Sequence, residues 1–116
     1  MPITIYHNPR CSKSRETLKL LQDKGIEPEI REYLKEVPSA DELRALLAKL
    51  GMSARDLLRK KEAEYKEAGL DNPALDDDAI IEAMTRYPKL IERPVVINGE
   101  QARIGRPPES VLEILE

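Results

Sequence analysis

ITIYHNPRCSKSRETLKLLQDKG, residues 3–25, decides how the rest of the chain is read. Residues 3–7, ITIYH, are β-branched or aromatic and bounded by Asn8-Pro9, which predicts a short buried strand. From Ser12 to Lys24 the pattern turns helical. Ser14, Leu18 and Leu21 share one face, and Gly25 supplies the C-terminal stop. The only cysteine and the only histidine of the chain, Cys11 and His7, fall at the turn between these two segments. A thiol placed there meets the free amides and the positive dipole end of a helix.

Working outward, EPEIREYL (27–34) sets Ile30 among charges and reads as a second strand near a sheet edge. Two strands joined by a helix form a βαβ unit, so the strands are expected to be parallel. Ser39 and Glu42 then form a capping box, and Leu43, Leu46, Leu47 and Leu50 recur at helical spacing until Gly51. Ser53 opens a helix through Leu57 and Leu58 that KKEAEYKEAG continues. Asp76, Asp77 and Asp78 suit a helix N-terminus, with Ile80, Ile81 and Met84 as its buried side before Pro88. Arg93-Pro94-Val95-Val96-Ile97 is the strongest strand signal, and Asn98-Gly99 turns it into residues 100–104. Pro107-Pro108-Glu109 opens a last helix, with Val111, Leu112 and Leu115 on its apolar side. The order, βαβ…ββα, is that of an α/β protein with a thioredoxin-like fold. It is read as a single domain, 1–116, with an all-helical insertion at about 38–88.

Composition narrows the function. At 116 residues, 41% apolar and 35% charged, the chain is an ordinary globular domain. A net charge of -3 with interspersed signs recommends no nucleic-acid partner. No apolar run approaches the roughly 18 residues of a membrane span. MPITIYHNP lacks a charged region followed by an apolar one, so export is not expected. One cysteine makes no internal disulfide, which favours a reducing cytoplasm.

An unperturbed thiol with a pKa of about 8.5 is only roughly 3% thiolate at pH 7. Lowering that pKa by two units takes about 2.7 kcal/mol, of which a helix N-terminus offers about 0.3 to 2. Arg10, Lys13, Arg15 or a protonated His7 could supply the remainder, which makes Cys11 a candidate reactive thiolate. The Asn8-Pro9 turn would present the thiol and leave loop amides free for an oxyanion. Cys11-Ser12-Lys13-Ser14 has the spacing of a redox motif, but Ser14 cannot resolve a mixed disulfide. A redox cycle on Cys11 therefore needs an external thiol, from glutathione or a small redox protein. The Cys-x5-Arg spacing of cysteine phosphatases is absent: Thr17 stands at that position, and Arg15 comes too early. One cysteine and one histidine exclude a zinc site, and no metal is expected.

YHNPRCSKSR (6–15), LLRK (57–60), ERPVV (92–96) and RIGRP (103–107) together resemble the glutaredoxin-linked bacterial arsenate reductases, the ArsC family, across nearly the whole chain. That resemblance implies a thioredoxin-like fold with a helical insert. It implies that Cys11 attacks arsenate, that glutathione enters as co-substrate, and that glutaredoxin releases arsenite, with no tightly bound cofactor. Arg59, Arg93 and Arg106 match the arginines that hold the oxyanion. His7 matches a residue that favours the thiolate, and Ser14 one near the thiol. Pro94 matches the cis-proline facing the active thiol. Guanidinium forks suit a multiply charged oxyanion. Two alternatives stay open. One is a related oxidoreductase acting on glutathione conjugates or glutathionylated proteins. The other is a binding module like the sister family that docks on RNA polymerase, although Ser14 removes that family's Cys-x-x-Cys switch.

Overall fold

The structure is a computed structural model and describes residues 3–115. The expected domain span of 1–116 includes Met1, Pro2 and Glu116, which lie outside the described residues. Two compact units emerge: residues up to Glu36 with those from Arg93 onward, and Val37–Glu92.

In the first unit, the β-branched segment Ile3–Tyr6 forms β1 and Ser12–Asp23 forms α1. Gly25 takes φ +78°, and Ile26 N–H reaches back to Leu21 O at 3.0 Å, closing the helix as the glycine predicts. Glu29–Arg31 forms β2, Val95–Asn98 β3 and Gln101–Ile104 β4. The sheet order is β2-β1-β3-β4, with β1 parallel to β2 and antiparallel to β3, and β3 antiparallel to β4. The expected parallel βαβ unit and edge position of β2 are both present. Ile5 (β1), Leu21 (α1), Val96 (β3), Val111 and Ile114 build the core.

Three local readings change. The second strand is three residues long instead of eight, because burial at that end goes to Tyr33, which stacks on Tyr6 with centroids 6.4 Å apart, while Ile30 stays 47% exposed. The hairpin turn is Gly99-Glu100, one residue later than read, because Asn98 pairs with Gln101 and Gly99 takes the positive φ, +62°. The last helix is 3₁₀, Pro108–Ile114. At three residues per turn its fully buried side is Pro108, Val111 and Ile114; of the expected residues Val111 is buried, Leu115 packs partly buried against the core, and Leu112 gives its place to Ile114.

The second unit holds α2 (Ala40–Leu50), α3 (Ala54–Leu57), α4 (Ala63–Glu67), α5 (Asp77–Arg86) and a 3₁₀ turn at Pro88–Leu90. The Ser39 capping box forms as read: Glu42 N–H donates to Ser39 Oγ and Ser39 N–H to Glu42 Oε1, both at 3.1 Å. Asp76 caps α5 through Ala79 N–H at 2.9 Å. Leu43, Leu46 and Leu47 of α2, Leu57 of α3, and Ile80, Ile81 and Met84 of α5 form this unit's apolar interior. The helix expected to run on through Leu58 breaks there. Leu58 is extended and bridges Ile91; Arg59 N–H donates to Leu90 O at 2.7 Å, and Glu92 N–H to Leu57 O at 2.8 Å. α4 buries no residue, so nothing rewards helical continuity across 58–62. Among the described residues no helix is long and apolar enough to cross a membrane.

Candidate active site

β1 ends at Tyr6 and delivers His7, whose N–H donates to Arg31 O at 2.9 Å and fixes the strand exit. Asn8 then shapes the loop twice over. Its carbonyl accepts from Cys11 N–H and its Oδ1 from Arg10 N–H, each at 3.0 Å. Cys11 becomes the N-cap of α1 in extended conformation (φ −95°, ψ 124°), and its carbonyl accepts Arg15 N–H at 3.0 Å. No side chain caps this terminus, and its first turn carries no acidic residue.

The thiol is 9% exposed. Burial pushes its pKa up. The Ser14 amide, the charge and hydrogen bond of Arg93, and the Lys13 amide outweigh that, and the pKa falls below the ordinary thiol value. The expected direction holds, but the cause moves: backbone amides and Arg93 lower it, and not the side chains of Arg10, Lys13 or Arg15. Lys13 pairs with Glu16 at 3.5 Å, and Arg15 Nη1 donates to Pro9 O at 2.9 Å.

His7 and Ser14 are both buried and meet at 2.6 Å between Nδ1 and Oγ. Ser14 Oγ also accepts Asn8 N–H at 3.0 Å, so its own proton suits His7 Nδ1, a tautomer assigned from the bonding pattern. Burial lowers the His7 pKa, Glu32 raises it less, and Arg15 lowers it further. The net direction is downward, which disfavours the protonated imidazole considered as a neighbour of the thiolate. Its contact with Ser14 ties the exit of β1 to the first turn of α1.

The residues just before β3 and the loop after β4 bring arginines to the sulfur. Arg106 Nη2 lies 3.7 Å from Cys11 Sγ, and Arg106 Nε donates to Arg93 O at 2.8 Å. Arg106 is exposed and its charge is screened by water, whereas Arg93 is half-buried and acts more strongly on the thiol. The Arg93–Pro94 bond is cis, as the resemblance implies, and Arg106–Pro107 is cis as well. Arg59 belongs to the second unit, where its guanidinium pairs with Glu62 at 3.3 Å and Glu92 at 3.0 Å.

Two residues escaped the sequence reading. Gly105 N–H donates to Pro94 O at 2.9 Å, and a Cβ at Gly105 would come within 2.5 Å of Thr17 Oγ1 and 2.8 Å of Pro94 Cγ. Thr17 is fully buried and its hydroxyl donates to Lys13 O at 2.8 Å. Together they let the Arg93 and Arg106 loops close against α1. The only local signal was the glycine inside RIGRP.

A mixed four-stranded sheet with one lowered thiol at an uncapped helix N-terminus, and a cis-proline just before β3, defines a single-cysteine member of the thioredoxin-like class. The chain belongs to the ArsC family, whose pattern matches residues 6–114. An Escherichia coli K12 protein named "Uncharacterized protein YfgD" is 57% identical over 97% of this chain and 96% of its own. A Haemophilus influenzae protein named "Arsenate reductase" is 52% identical over 99% of this chain and 100% of its own. The solved structure "Arsenate reductase from Vibrio cholerae" superposes with a TM-score of 0.97 at 54% identity, covering 99% of this chain and 98% of that one.

Proposed function

We propose that this protein is an arsenate reductase in which the Cys11 thiolate attacks arsenic. The observation that carries the reading is the arginine-facing thiol: Cys11 Sγ lies 3.7 Å from Arg106 Nη2, and its pKa is lowered by Arg93 and two amides. A group of donors that stabilises a thiolate also suits an incoming oxyanion. Attack forms an S–As bond, and an arsenate oxygen leaves as water. The overall reaction converts arsenic acid and two thiols to arsenous acid, one disulfide and water. The arsenic takes up two electrons, and two sulfurs give up one each. Cys11 is the only thiol of the chain, so the electrons come from outside. Glutathione as co-substrate and glutaredoxin as the final reductant fill that role, in the reducing cytoplasm, with no tightly bound cofactor or metal required.

In this reading Arg93 and Arg106 hold the oxyanion, while His7 and Ser14 hold the first turn of α1 in place. Arg59 comes to the reading from the family resemblance alone. The test is NADPH-coupled arsenate reduction with glutathione, glutathione reductase and a glutaredoxin panel. Turnover that saturates with arsenate and vanishes in Cys11→Ser is expected. No turnover, with Cys11 still alkylating rapidly at pH 7, would remove arsenate as substrate and leave a thiol oxidoreductase of another substrate.

A further inference from the structure

Five cations crowd the thiol in sequence or in space, and they divide sharply by what they touch. Arg93 acts directly on the thiol, and Arg106 reaches the sulfur at 3.7 Å and the Arg93 carbonyl at 2.8 Å. Lys13 is paired with Glu16, and Arg15 is hydrogen-bonded to Pro9 O. Arg10 differs. It precedes Cys11 directly, it is exposed, and its guanidinium makes no hydrogen bond or ion pair with any described residue.

The backbone beneath Arg10 is nevertheless held. Its own N–H donates to Asn8 Oδ1 at 3.0 Å, and the next N–H, of Cys11, donates to Asn8 O at 3.0 Å. A charged side chain thus stands on a fixed loop, one residue from the nucleophile, with its charge directed to solvent. The lowering of the thiol is accounted for by the Ser14 and Lys13 amides and Arg93, without Arg10. Its charge serves neither the thiolate nor an internal ion pair.

The chemistry needs a second reactant at this place. With one cysteine in the chain, each turnover requires an external thiol to approach the sulfur of Cys11 or the atom bound to it. An exposed guanidinium adds most to binding a partner that carries a carboxylate.

We propose that Arg10 is the recognition residue for the co-substrate, a small thiol bearing carboxylates, of which glutathione is the probe. This rests on the reading of Cys11 as a thiol that cycles through external thiols. Arg93 and Arg106 address the oxyanion, and Arg10 addresses the reductant.

The test uses the intact chain and thiol–disulfide exchange, which needs no arsenate. The Cys11 thiolate attacks one sulfur of glutathione disulfide; a Cys11–glutathione disulfide forms, and one glutathione thiolate leaves. The same reaction with the uncharged disulfide of 2-mercaptoethanol is run in parallel, both followed by intact mass. The ratio of the two rate constants cancels any change in the thiol itself. Arg10→Ala should lower that ratio about threefold to fivefold, and Arg10→Glu about tenfold, as expected for loss and reversal of an exposed charge. Arg10→Lys should keep most of it, and added salt should lower the wild-type ratio toward that of Arg10→Ala. A ratio unchanged in both Arg10→Ala and Arg10→Glu overturns the proposal. If wild type shows the charge-dependent ratio but never turns over arsenate, the reductant subsite stands and the arsenate reading falls.

Discussion

The chain contains two kinds of helix N-terminus. α2 begins at Ser39 with both bonds of a capping box and carries Asp41 and Glu42 in its first turn. α1 begins at Cys11 with no side-chain cap and no acidic residue in its first turn. Both termini have the same orphan amides and the same dipole. At α2 the protein's own oxygens and carboxylates satisfy them, so the terminus contributes stability and offers nothing to a ligand. At α1 the amides of Lys13 and Ser14 are left to a sulfur, and their effect appears as a lowered thiol pKa. The same local physics yields stability in one place and chemistry in the other, and the difference lies in which side chain occupies the cap.

That comparison can be broken or sharpened by substitution. The largest effect is expected at the charges that complete the α1 site. Arg93→Ala should raise the arsenate KM by tenfold to about 10²-fold, the scale of losing one or two charge-assisted hydrogen bonds. It should also move the alkylation inflection of Cys11 upward, since Arg93 lowers the thiol pKa. An unchanged KM would remove Arg93 from the oxyanion site. Next comes the capped terminus. Ser39→Ala should cost about 1 kcal/mol of stability, read from the denaturant midpoint, without touching Cys11 reactivity. A change in alkylation rate would mean that the two termini do not divide as described.

The smallest effect makes α1 resemble α2. Lys13→Glu places an acid in its first turn, beside the amides that favour the thiolate, and should raise the thiol pKa. Alkylation at pH 7 should then slow about twofold to fivefold. The sign extends to stability: a thiol whose pKa is lower in the folded state stabilises the fold fully above its unfolded value. That contribution is lost as pH falls through the folded value. Wild-type alkylation should therefore inflect below the ordinary thiol value, and an inflection at or above it would contradict the site geometry.

Much of this was legible along the chain because its causes are local. The strand ITIYH, the stop at Gly25, the capping box at Ser39 and the cap at Asp76 depend on residues within a few positions of one another, and all appear. In two places where the sequence reading failed, contacts with a distant segment overrode a local preference. Leu58 leaves its helix because Ile91 and its neighbours offer hydrogen bonds. Ile30 is left exposed because Tyr33 takes the buried place against Tyr6.

The site divides the same way. Sequence alone placed one thiol at a strand-to-helix turn, showed that no second cysteine could resolve it, and singled out Arg93, Pro94 and Arg106 through a family resemblance. Only the tertiary structure decided what lowers the thiol. It showed His7 buried and bonded to Ser14, Arg106 at the sulfur, and Gly105 admitting Thr17 and Pro94 at distances that no Cβ would allow. The physical reason is range. Caps and turns act within a few residues along the chain, whereas desolvation and Coulomb attraction act through space between groups that only folding brings together.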